Sequence, residues 1–126
     1  MVVKVPKATQ NETIRRKFAD QIRYEKEILA NLRGAVTGYL PKYYHSVQTN
    51  FEYRNYLLMD YIQGPTLADE LILKKSTLTH SSNMHILIHI SNAIRFLQKY
   101  DVAHLDLSPS NILVVKDNLI KLIDFG

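Results

Sequence analysis

The sequence predicts an α+β fold, in which short strands gather around one long helix and a second long helix leads into a polar, irregular stretch. Three observations predict it. Apolar residues recur at helical spacing twice, from about Asn11 to Arg33 and from about Ser81 to Tyr100. Three segments rich in β-branched and aromatic residues, Val2–Val5, Lys42–Gln48 and Tyr53–Ile62, read as strands of one small sheet packed on the first helix. Two more apolar runs, Ile112–Lys116 and Leu119–Ile123, close the chain around Asp117-Asn118, a hairpin signal.

Each element has a local reason. The first strand is short, with Lys4 set between Val3 and Val5, and Pro6 ends it because proline brings no N–H to a ladder. Lys7 to Gln10 is a polar connection, and Gly34 stops the first helix. Ala35 to Pro41 is a loop, and Thr49 to Glu52 joins the next two strands as a hairpin connection. Gln63-Gly64-Pro65 breaks the third strand, and a short helix covers Thr66 to Lys74. The longer helix begins at about Thr79 or Ser81 and carries Ile86, Ile90, Ala93, Ile94 and Leu97 on one face. Asp101 to Asn111 is polar and irregular.

Composition narrows the class. A chain of 126 residues forms one small domain or a piece of a larger one. At 46% hydrophobic and 22% charged it can pack a core. With no cysteine, disulfide scaffolds, thiolate metal sites and cysteine nucleophiles are excluded. No apolar run approaches the ~20 residues of a membrane span, and the first residues lack a secretory apolar core, so a reducing, intracellular (cytoplasmic) setting is expected. The net charge of +4 is scattered; Arg15-Arg16-Lys17 and Lys74-Lys75 are the tight groups, read as a solvated helix face and a loop. No nucleic-acid partner is expected.

The first helix holds an anomaly. Ile14, Phe18, Ile22, Leu29 and Leu32 form one stripe at ~100° per residue, with Glu25 in its middle, whereas Glu27 points to the opposite face. A carboxylate centred on a buried stripe needs a cation or donors, and Lys4 among its valines has the matching problem. Pairing them resolves both. Spacing alone leaves open a rotated stripe with Glu25 at a solvated edge.

The densest chemistry lies near the end. His104-Leu105-Asp106-Leu107-Ser108-Pro109-Ser110-Asn111 precedes the terminal hairpin, which leads to Asp124-Phe125-Gly126. Such a hairpin can return the chain and bring Asp106, Asn111 and Asp124 to one mouth. Oxygen donors without cysteine suit Mg²⁺. Phosphoryl transfer needs cations shared with substrate phosphates and a carboxylate that orients a hydroxyl. The plain alternative, aspartates as turn formers, fits Asp117 better than Asp106 or Asp124, which follow apolar segments.

His104 to Asn111 resembles the protein-kinase catalytic loop, and Asp124-Phe125-Gly126 matches the family's aspartate-phenylalanine-glycine motif. Val2-Val3-Lys4-Val5 looks like the lysine-bearing third strand, Glu25 like the glutamate of the αC helix, and Leu57 to Gly64 like the fifth strand entering the nucleotide hinge. The pieces fall in family order from Val2 to Gly126. The resemblance implies a partial small lobe of three strands plus an αC-like helix (1–62), a hinge (63–67) and the start of a helical large lobe with the catalytic loop (68–126). It implies ATP and Mg²⁺ as cofactors and a protein substrate, with the nucleotide between the lobes.

By the same resemblance Lys4 would hold the α- and β-phosphates, oriented by Glu25, and Met59 would be the gatekeeper. The backbone of Asp60, Tyr61 and Ile62 would receive the adenine edge. Asp106 would orient or accept the substrate hydroxyl proton, Asn111 and Asp124 would ligate Mg²⁺, and His104 would brace the loop. His85 and His89 stand at i, i+4 but lack a third ligand nearby, so they read as helix surface or packing.

The pattern also departs from the family. Leu105 replaces the arginine that receives a phosphorylated activation segment in relatives, and Ser108 replaces the lysine typical of serine/threonine kinases. Serine supplies a hydrogen bond but no positive charge; Pro109 still favours serine/threonine over tyrosine specificity. The chain begins three residues before Lys4, where a glycine-rich loop is expected upstream, and stops at Gly126, where an activation segment is expected. The expectation is an incomplete, weakly active or inactive fragment that is poorly stable alone, oligomerises, or depends on a partner such as a full-length kinase or a stabilising chain. Two alternatives remain: a kinase-mimic module that regulates a full-length kinase, or a small-molecule kinase resembling aminoglycoside and choline phosphotransferases.

Overall fold

The computed structural model describes residues 1–5, 9–32, 38–48, 55–73 and 79–125, with the backbone alone described at 46–48 and 55. The expected features at Pro6, Gly34, the 49–52 connection, Tyr53, Lys74 and Gly126 lie outside the described residues. The chain forms two compact units, one from 1–36, 42–61 and 125–126, the other from 37–41 and 62–124.

The first unit is a three-stranded antiparallel sheet with one long helix. Strand β1 (Val2–Lys4) and strand β2 (Tyr43–Gln48) flank the central strand β3 (Asn55–Met59). The register sets Lys4 against Leu57 and Val2 against Met59 on one side, and Tyr43 against Met59 on the other. Leu57, with partners on both sides, is fully buried. Helix α1 (Glu12–Asn31) starts at Asn11, whose side-chain oxygen accepts the Ile14 N–H at 3.1 Å and satisfies one orphan donor of the first turn. Ala19, Ile22, Glu25, Ile28 and Leu29 are its buried residues, with Leu32 buried at its end, so the stripe read from spacing is packed from Ile22 onward, with Phe18 half-buried. Ile14, on the first turn, remains 43% exposed. Burying each large aliphatic side chain contributes about 1.5–3 kcal/mol.

Strand β3 is shorter than expected. It ends at Met59 rather than Ile62, because the registers of both neighbours end opposite Met59, at Val2 of β1 and Tyr43 of β2. The Asp60 N–H donates to the Lys42 carbonyl at 2.9 Å, and the chain then leaves the sheet with Tyr61 exposed.

The second unit contains helix α2 (Leu67–Leu73), helix α3 (His80–Lys99), and the hairpin of β4 (Ile112–Val114) and β5 (Ile120–Leu122). Thr66 and Asp69 cap α2 reciprocally: the Asp69 N–H donates to Thr66 Oγ1 at 3.1 Å, and the Thr66 N–H to Asp69 Oδ2 at 3.2 Å. Thr79 caps α3 by accepting the Ser82 N–H at 3.1 Å. Ile86, Ala93 and Leu97 are buried on α3, as the spacing predicts, and Ile90 and Ile94 are half-buried. In the hairpin turn Asp117 and Asn118 are both left-handed, which these residue types tolerate, and the flanking strands are correspondingly shorter than their apolar runs.

Two segments not read as strands run beside this hairpin. Pro65 accepts the Val114 N–H through its carbonyl at 2.9 Å, and Thr66 bridges to Leu113. Here Gly64 is obligatory: a Cβ built on it would lie 2.4 Å from the Val114 carbonyl oxygen. Along β5, the Tyr39 carbonyl accepts the Leu122 N–H at 2.8 Å, and Lys121 Nζ donates to the carbonyls of Gly38 (2.8 Å) and Leu40 (3.3 Å). Leu40 and Pro41 are buried as a result. Among the described residues no helix is long and apolar enough to cross a membrane.

Candidate active site

In the first unit, Lys4 Nζ donates to Glu25 Oε2. Strand β1 presents the lysine and the buried face of α1 presents the glutamate, whose side chain is 3% exposed against 30% for the lysine. Of the two positions that spacing left open for Glu25, the buried one is observed. A carboxylate so enclosed is tolerable because a cation and its hydrogen bond replace lost hydration. Met59, buried at the end of β3, pairs with Val2 and Tyr43, and Asp60 and Tyr61 follow it out of the sheet.

Asp60 is held by contacts that sequence reasoning missed. Tyr44 Oη donates to Asp60 Oδ1 at 2.6 Å, and the Lys42 N–H donates to Asp60 Oδ2 at 3.3 Å. The Lys42 ammonium stands 5.2 Å from the centre of the Tyr44 ring. Donation to Asp60 is the first cause that raises the Tyr44 phenol above the ordinary 10.0; burial and the negative charge of Asp60 add to it. Nothing in the sequence marks this, because it depends on an irregularity in β2 that pairs Tyr43 with Met59 and His45 with Leu58.

In the second unit, the polar stretch before β4 is braced through His104, 6% exposed. Its Nδ1 accepts the Asp106 N–H at 3.3 Å, so Nε2 carries the proton and donates to the Ile123 carbonyl at 2.8 Å. The Ile123 N–H donates to the Asn111 carbonyl at 3.0 Å. The residue before Asp124 is thus tied on both sides to the segment that carries Asp106 and Asn111. Asn111 Nδ2 donates to the Asp106 carbonyl at 2.9 Å and to Asp106 Oδ2 at 3.1 Å. Asp106 and Asp124 are exposed, and Leu105 and Asp124 are left-handed. Ser108 precedes a single 3₁₀ turn, Pro109–Asn111, and its carbonyl accepts the Asn111 N–H at 2.9 Å. Ile62, half-buried, belongs to this unit.

The donor set suits a hard cation. With the Asn111 nitrogen bonded to Asp106, its amide oxygen and the exposed Asp124 carboxylate are the oxygen donors that the resemblance assigns to a metal. Among the described residues no group of three or more His, Cys, Asp or Glu gathers at metal-binding range.

A sequence model of the protein kinase domain matches residues 1–126. A probable serine/threonine-protein kinase of Clostridium perfringens is 36% identical over 72 residues, 57% of this chain and 10% of that protein. One from Dictyostelium discoideum is 28% identical over 117 residues, 93% of this chain and 24% of that protein. The serine/threonine-protein kinase sax-1 of Caenorhabditis elegans is 30% identical over 118 residues, 93% of this chain and 23% of that protein. The chain therefore spans about a quarter or less of the length of these relatives. With a family match along its whole length and an α+β fold that carries the expected loop and ion pair, the chain belongs to the protein kinase domain family.

Proposed function

We propose that the protein transfers the γ-phosphoryl group of ATP to serine or threonine hydroxyls of a protein substrate. In this reading 1–62 serve as small lobe, 63–67 as hinge and 68–126 as the start of the large lobe. The observation that carries it is the pair of hydrogen bonds that Asn111 Nδ2 donates to the Asp106 carbonyl and carboxylate, within a loop that His104 ties to Ile123. That network holds one exposed carboxylate with its backbone and side chain both restrained, as an acceptor for a hydroxyl proton must be.

Asp106 orients the substrate hydroxyl and takes its proton. Lys4, kept extended by Glu25, neutralises the α- and β-phosphates. Ser108 donates a hydrogen bond to the phosphate in place of a positive charge. The backbone of Asp60, Tyr61 and Ile62 receives the adenine edge beside Met59. Mg²⁺ held by Asn111 and Asp124 would neutralise charge on the terminal phosphates. The preference for serine and threonine rests on Pro109 and on relatives named as serine/threonine-protein kinases.

The test is labelled-phosphate incorporation by the whole protein into a mixed protein substrate and into small alcohols, with Asp106→Asn as control. Incorporation into serine and threonine that falls at least about 100-fold in the variant is expected. Incorporation into small alcohols alone, or a variant as active as the parent, would overturn the reading.

A further inference from the structure

We infer that Tyr44 is a positioning residue for adenine recognition: its hydroxyl clasps Asp60 and so fixes where the chain leaves β3 to form the segment 60–62. The inference rests on the proposed nucleotide site and adds to it a residue outside the motifs that suggested it.

The argument begins with register. In β2, Tyr43 pairs with Met59 and His45 with Leu58, so Tyr44 is the extra residue of a β-bulge. A bulge breaks the alternation of side chains and re-aims one of them. The re-aimed side chain meets the residue after the last rung of β3: Tyr44 Oη lies 2.6 Å from Asp60 Oδ1. Two further bonds close the clasp. The Asp60 N–H donates to the Lys42 carbonyl at 2.9 Å, and the Lys42 N–H returns to Asp60 Oδ2 at 3.3 Å.

Asp60 is thus fixed at its backbone and at both carboxylate oxygens, although the ladder has ended. The next residue, Tyr61, is 68% exposed and lacks such restraint from packing. A segment that recognises a flat base by backbone groups must hold its N–H and C=O directions before the base arrives. The clasp supplies that order at the exit of β3. A hydrogen bond from a neutral phenol to a carboxylate belongs to the stronger, charge-assisted kind.

The test uses the whole protein and three variants: Tyr44→Phe, which removes only the hydroxyl; Asp60→Ala, which removes the acceptor; and Asp60→Asn, which keeps one acceptor oxygen. ATP and ADP affinity is measured by calorimetry, and backbone amide exchange at 60–62 is followed without nucleotide. Tyr44→Phe should weaken nucleotide binding about 5- to 10-fold and speed exchange at 60–62. Its unfolding midpoint should stay close to that of the parent. Asp60→Asn should retain most of the affinity, and Tyr44→Phe should have no further effect in the Asp60→Ala background. If the parent binds nucleotide and Tyr44→Phe matches it in affinity and exchange, the positioning role fails while the nucleotide reading survives. If the parent binds no adenine nucleotide, both fall.

Discussion

Lys4 Nζ reaches Glu25 Oε2 across the sheet–helix boundary of the first unit, and the two partners are unequally buried, 30% against 3% exposed. The inequality has an energetic sign. Removing the lysine takes its cation from a carboxylate with almost no water, whereas removing the carboxylate's charge leaves an ammonium that can still find solvent.

Lys4→Ala should therefore destabilise the protein more than Glu25→Gln. About 3 kcal/mol is expected for the first and about 1 kcal/mol for the second, which keeps an acceptor for the lysine. Urea unfolding of both variants checks the order; a costlier Glu25→Gln would mean that the buried charge is satisfied without Lys4.

Gly64→Ala should cost about 1–3 kcal/mol, since the new methyl would stand 2.4 Å from the Val114 carbonyl oxygen and backbone must move. The same substitution at Gly38, where nothing lies within 4 Å, should be nearly silent. Thermal unfolding of the pair separates steric demand from a general aversion to alanine.

His104→Phe keeps a ring but leaves the Ile123 carbonyl and the Asp106 N–H without their partner. A loss of about 1–3 kcal/mol is expected. Under the proposed function, phosphotransfer should fall with it, because the backbone at Asp106 is released. Activity and urea midpoint measured on one preparation test the coupling.

Tyr44 should titrate late. Its protonated form donates to Asp60, so the bond contributes fully below the ordinary 10.0 and is lost as pH rises through the raised value. Ring-labelled tyrosine resonances followed through alkaline pH should show a signal that titrates above the ordinary 10.0 and is missing in Tyr44→Phe. Asp60→Asn, which removes the negative charge, should draw that signal back toward the others.

Much of this was legible from one dimension. The α1 stripe marked Glu25 as misplaced because helical period is local, and one cation among valines supplied its partner. The loop from His104 to Asn111 was legible as residue types at fixed spacing. The remainder depends on strands meeting at long range. The bulge at Tyr44 exists only in register against β3, and the backing of β4 by Pro65 and Thr66 and of β5 by Tyr39 joins segments that read as a strand break, a helix start and a loop. Strand ends were overextended at Ile62, Lys116 and Ile123 because apolar composition continues after pairing partners run out.

Leu105 shows what that bracing permits. It adopts φ 68°, a conformation that costs a leucine roughly 1–2 kcal/mol, with 71% of its surface in water. The side chain gains little there, so mutational drift at this position has a direction. Glycine or asparagine would relax the turn, whereas valine or isoleucine would be purged for backbone reasons alone. A saturation library at position 105 would sort by torsional tolerance before it sorted by chemistry.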